Sequence, residues 1–340
     1  MRKRRAGLEK KKFFFLATAI FLSQAFADDW AFSLEGAFGF RTGVYDEIVW
    51  AKKSTDNSRY KESELNYELA PTFYTGINFS ARKKRFGLNL LSKFFFPQKT
   101  GTLKDSDWRN DSVCKNGDTN TKTDYSEHSL YANNKFGGIA GFDLELQADY
   151  EFWPSRFLTL APLFSFDAQY INFSAKDGKG WYGVYDREKN KIAPYSDESS
   201  RIVYDFTGKK VIEYEVYNLF FWTGIRADFT PFSWLKISLS SEISPLSIFL
   251  DKDRHLTNNK DFKEEAYSVF FAFRQKIKSE FIIQKNFSIC QSMAFVFTGE
   301  SEGTMHYKNA ADDSYKKVNN NSGGGQMIVF DFELGGKISW

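Results

Sequence analysis

Phe142-Asp143-Leu144-Glu145-Leu146-Gln147-Ala148-Asp149-Tyr150-Glu151-Phe152 alternates apolar and polar residues along its whole length. Side chains point to opposite faces of an extended chain, so this stretch predicts a β-strand with one greasy and one charged face. The pattern recurs in Leu158, Leu160, Phe164, Phe166 and Tyr170, set against Thr159, Ser165, Asp167 and Gln169. It recurs again in Leu65, Tyr67, Leu69, Phe73, Ile77 and Phe79, read here as one apolar face within a single long strand over 61–81. Ile328, Phe330, Phe332, Leu334, Ile338 and Trp340 repeat it against Asp331, Glu333, Lys337 and Ser339. A soluble sandwich would show the same alternation, so the fold turns on composition and on the connections between strands.

Of the 340 residues, 18% are aromatic, including 37 Phe, yet the chain is hydrophilic overall. Arg2 to Lys12 are strongly basic, Phe13 to Leu22 are apolar, and Ala25-Phe26-Ala27 is a small-x-small site. This order predicts a secretory signal peptide over 1–27, since the apolar run is shorter than the ~18 residues of a helical span. An exported, aromatic-rich chain whose strands give only alternate residues to an apolar face predicts a transmembrane β-barrel. Short breaks at 82–85, 154–156, 230–233 and 284–286 alternate with longer polar stretches near 51–60, 102–135, 177–208, 251–263 and 300–325. That alternation predicts ten antiparallel strands in one domain over 28–340, with short turns on one side, long loops on the other, and the barrel extending above the membrane. Near-balanced charge excludes nucleic acid as a partner. Cys114 and Cys290 form no metal or redox motif, and no disulfide is expected between them.

Parity places a polar cluster at the loop side. Phe32, Leu34, Phe38 and Phe40 face lipid on the first strand, so Glu35, Arg41 and Glu47 face inward. Leu88, Leu90, Phe94 and Phe96 do the same for the third, which turns Asp105 and Asp107 inward. On the seventh, Leu235 to Ile243 hold one phase and Leu246, Ile248 and Leu250 the other. A bulge at Pro245 would make that switch, with Asp251, Asp253 and His255 then facing in. An imidazole beside a carboxylate is the pairing that orients a general base. No serine or cysteine sits in a nucleophile motif, and only three histidines are present, so zinc is poorly supplied.

Asp105-Ser106-Asp107-Trp108, Asp253-Arg254-His255, Glu47 and Asp251, together with Ser63-x-Leu65-x-Tyr67 and Tyr131-Ala132-Asn133, resemble the omptin family of outer-membrane proteases. The resemblance implies that Asp105, Asp107, Asp253 and His255 are catalytic, acting through an activated water. It implies that Glu47 and Asp251 bind a basic substrate residue. It further implies no metal, peptide or protein substrates carrying basic residues, a monomer, and the outer membrane of a diderm bacterium with the site facing outside. The family also binds lipopolysaccharide through outer-face arginines. Here Tyr170 and Tyr217 stand at the aligned positions, and Lys176, Lys260 and Lys263 could substitute only loosely, so no cofactor is expected, and either the lipid requirement differs or a lipid activator of another identity serves. The alternative is a catalytically silent barrel that serves as an adhesin or binds basic peptides.

Overall fold

The computed structural model describes residues 30–52, 58–108, 127–155, 157–183, 185–186, 191–192, 199, 201–257, 259–266, 271–309 and 311–340. The expected signal peptide and Cys114 lie outside them. Ten staves follow in chain order: β1 (Trp30–Lys52), β2 (Arg59–Lys83), β3 (in three pieces, Phe86–Phe95, Lys99–Thr100 and Leu103–Asp107), β4 (Glu127–Tyr150) and β5 (Leu158–Gly183). Then come β6 (Lys210–Phe232), β7 (Leu235–His255), β8 (Lys260–Ala266 and Ala272–Gln284), β9 (Phe287–Thr298 and Gly303–Asn309) and β10 (Lys316–Ser339). Each pairs antiparallel with its chain neighbours, and β1 closes the ring on β10 from Ser33↔Ser339 to Ala51↔Asn321. Closure leaves no stave of the described residues at a sheet edge, the condition for crossing lipid with strands.

Tight turns sit at Lys84-Arg85, Ser233-Trp234 and Lys285-Asn286. Beside them the outer surface carries Trp153, Phe232, Trp234 and Trp340, an aromatic rim of the kind that lies at a bilayer interface. Above that rim Phe38, Leu146, Phe164 and Leu334 are more than half exposed, as lipid-facing residues should be. Opposite them, inside the lumen, charges are paired. Arg41 donates to Asp143 at 2.6 Å and to Asp331 at 2.7 Å, and Lys93 binds Asp331 and Glu333 at 2.8 Å. Arg274 holds Glu145 at 2.7 Å and also pairs with Glu242. These residues come from six staves, so the network braces the barrel across its interior. A cavity of about 590 Å³ in this lower part is lined by charged residues and includes none of the acids at the mouth.

Two expectations need correction. Leu65, Tyr67 and Leu69 are not on the lipid face with Phe73, Ile77 and Phe79: they are buried, while the latter three are exposed. The β1–β2 register slips between Arg41↔Thr72 and Gly43↔Leu69, so Ala70 and Pro71 form a bulge that reverses the strand's facing. The long loops are also shorter than their polarity suggests. Strand continues through 103–107, 127–135, 177–183, 251–255, 260–263, 303–309 and 316–325, and the β7–β8 connection is only residues 256–259. Above the membrane both faces of a stave tolerate polar residues, so alternation vanishes while the backbone ladder persists.

Candidate active site

The mouth is assembled from strand ends. On β7, Leu246 pairs with Phe221 and Ile243 with Thr223, leaving Ser244 and Pro245 opposite Trp222 alone. This is the expected bulge. Ser244 Oγ repairs the broken ladder by accepting from Phe221 N at 3.2 Å and donating to Leu246 O at 2.8 Å. Beyond it Ser247, Phe249, Asp251 and Asp253 are buried, and Ile248 and Leu250 alternate with them. His255 Nε2 is hydrogen-bonded to Asp253 Oδ2, and the imidazole edge packs on Phe262.

The third piece of β3 pairs Asp105 with Leu65 and Asp107 with Ser63, and Leu65 is an inward residue. The register therefore holds across the breaks in that stave. Trp108 seals its end: the ring is buried and its backbone N–H donates to Glu62 O at 2.8 Å. Burial would lower the pKa of His255, but the carboxylate of Asp253, helped by the charges of Asp105 and Asp107, outweighs it and pushes the imidazole up to about 9.

Glu47 arrives from β1, opposite Leu65 and Gly325. Asp251 accepts from Tyr214 Oη at 3.0 Å and from the Glu264 backbone N–H at 3.0 Å. Glu264, which the sequence reading did not single out, stands directly across from Asp251 on β8 and is fully buried. Below these acids Tyr67 stacks on Tyr214 at 4.6 Å and lies 5.0 Å from Phe173, an aromatic floor separating the mouth from the ionic lumen. All three rings of that floor are buried. Burial first, then mutual repulsion with Asp253 and one another, raises the pKa of Glu47 and Glu264 well above the ordinary range. Burial and Asp253 raise Asp251 likewise, against the opposing hydrogen bond from Tyr214. The structure thus brings together all six predicted site residues. Glu264 escaped notice because 251–263 reads as loop, whereas β7 runs to His255 and β8 starts at Lys260, which sets Glu264 against Asp251.

One carboxylate oxygen from each of Glu47, Asp251 and Glu264 lies within 4.8 Å of the others, a donor set suited to a hard cation. On the outer wall the Tyr170 and Tyr217 rings lie 4.6 Å apart, tilted by 36°, and Lys263 is held by Glu265. Cys290 is a buried free thiol.

The Omptin family model matches residues 29–335. The chain belongs to the omptin family. The solved structure of outer membrane protease OmpT from Escherichia coli is similar over 91% of this chain and 97% of that one, with a TM-score of 0.74 and 12% identity. Far looser likenesses, at TM-scores of 0.32 and 0.33, connect it with OprG from Pseudomonas aeruginosa (7% identity, 91% and 95% covered) and the NalP translocator domain from Neisseria meningitidis (6%, 96% and 95%). No curated relative matches the sequence. This omptin is an outer-membrane protein of the Gram-negative envelope, of a protease family, with its mouth at the cell surface.

Proposed function

We propose that this omptin is an endopeptidase that cleaves at basic residues with a water activated by His255 and Asp253. The observation that carries the reading is the His255–Asp253 pair set across one mouth from Asp105 and Asp107. His255 takes a proton from water, and the hydroxide adds to the scissile carbonyl carbon. The imidazolium then returns the proton to the departing amine as the C–N bond breaks. Asp253 fixes the ring and stabilises its cation, as the acid of a triad does. Asp105 and Asp107 hold the water, and Glu47 and Asp251 receive the basic side chain through charge-assisted hydrogen bonds.

The test is hydrolysis of a fluorogenic dibasic peptide by refolded, heat-modifiable protein and by His255→Ala. Cleavage at the basic residue should fall at least a hundredfold in the variant while its barrel stays folded. Near-normal cleavage by folded His255→Ala would remove the mechanism and favour a barrel that binds basic peptides without cutting them.

A further inference from the structure

Glu47, Asp251 and Glu264 converge from three staves, and the pocket leaves acceptors of Glu47 and Glu264 unused. Neither Glu264 oxygen makes a hydrogen bond of good geometry, and Glu47 Oε2 has no partner. The Tyr67 hydroxyl, with no exposed surface, is also unpartnered, and the charges of Glu47 and Asp251 act on it. Buried polar atoms normally find partners, so a set this dense marks a place for a ligand that donates. The space is kept open by Gly323 on β10, where a Cβ would come within 1.9 Å of Glu264 Oε1.

The convergence of three acceptors favours one donor shape over another. A primary ammonium has three N–H donors in tetrahedral array, which at about 2.8 Å from each acceptor touch oxygens roughly 4.6 Å apart. The three oxygens here lie within 4.8 Å of one another. A guanidinium is a flat fork that engages carboxylates along its edges and cannot converge on three acceptors around a point. We propose that Glu264 completes, with Glu47 and Asp251, a three-point receptor for a primary ammonium, so that the pocket selects lysine over arginine. The inference rests on the reading that this pocket holds the basic residue at the cleaved bond. Burial and mutual repulsion keep protons among the empty acids, and the ammonium takes their place.

Peptides identical except for lysine or arginine at the cleaved position should be compared in wild type, Glu264→Gln and Gly323→Ala, with heat-modifiable mobility as the folding check. Wild type should prefer lysine in kcat/KM. Glu264→Gln should cost the lysine peptide at least tenfold more than the arginine peptide, and Gly323→Ala should shift the ratio the same way by displacing Glu264. An unchanged ratio, or equal losses on both peptides, overturns the proposal. Direct titration with Nα-acetyl-lysinamide and Nα-acetyl-argininamide separates this inference from the protease reading, because neither ligand need be cleaved. Tighter lysinamide binding that Glu264→Gln abolishes supports the receptor even if no peptide is cut. Equal binding of the two amides, or displacement of lysinamide by equimolar calcium chloride, overturns it.

Discussion

Replacing Asp253 with Asn tests what sets the protonation of His255. In the resting protein burial pulls the imidazole pKa down, yet Asp253, with Asp105 and Asp107, holds it at about 9. A base must be neutral to act, so kcat/KM should climb about tenfold per pH unit up to that value, leaving roughly one molecule in a hundred competent at pH 7. Asp253→Asn removes the chief charge that raises the pKa and leaves burial in place. The acid limb should then fall to about 6.5 or below. The plateau should also drop by about a hundredfold or more, because an amide neither fixes the tautomer nor stabilises the cation. These two effects oppose each other as pH changes. The deficit of the variant, largest on the plateau above pH 9, should shrink by somewhat under about a hundredfold by pH 7. Measuring kcat/KM of the dibasic peptide from pH 5.5 to 10 reads this directly. A deficit that is constant with pH would falsify the assignment of Asp253 as the group that holds the proton on His255. Stability runs the other way: the protonated pair contributes fully below about pH 6.5, and that contribution is lost as pH rises through about 9.

Glu47→Gln combined with Asp251→Asn should erase most of the preference for a basic residue over norleucine at the cleaved position; selectivity that survives the double change would reject their role. Tyr214→Phe removes the 3.0 Å donor to Asp251 and should raise KM for basic peptides about tenfold with little change in kcat, read from initial rates. Arg41→Met leaves Asp143 without its partner in the lumen and Asp331 with Lys93 alone, and should cost about 3–5 kcal/mol of unfolding free energy in urea titrations, much of it regained when Asp143→Asn is added.

The alternation of 142–152 predicts its strand correctly because that stretch meets lipid on one side and an ionic lumen on the other. The parity of Phe32 to Phe40 likewise places Glu47, and the break at Pro245 places Asp251, Asp253 and His255. Leu65, Tyr67 and Leu69 mislead for a physical reason: an inward apolar residue above the membrane and an outward one within it are the same letter at the same spacing. Only the pairing across Ala70-Pro71 distinguishes them. Glu264 was illegible because its stave is polar on both faces there, and the strand is maintained by its neighbours rather than by its own pattern.

The bulge at Ala70-Pro71 carries a consequence for how this protein can change. Below it the chain obeys the polarity of an inside-out protein, charge within and grease without. Above it, β2 reverts to the ordinary rule, with Leu65, Tyr67 and Leu69 packed inward beneath the acids. The two halves are thus written in different alphabets on one strand. Substitutions that retune the mouth leave the letters that insert the barrel untouched, and a new surface specificity can arise without renegotiating passage into the membrane.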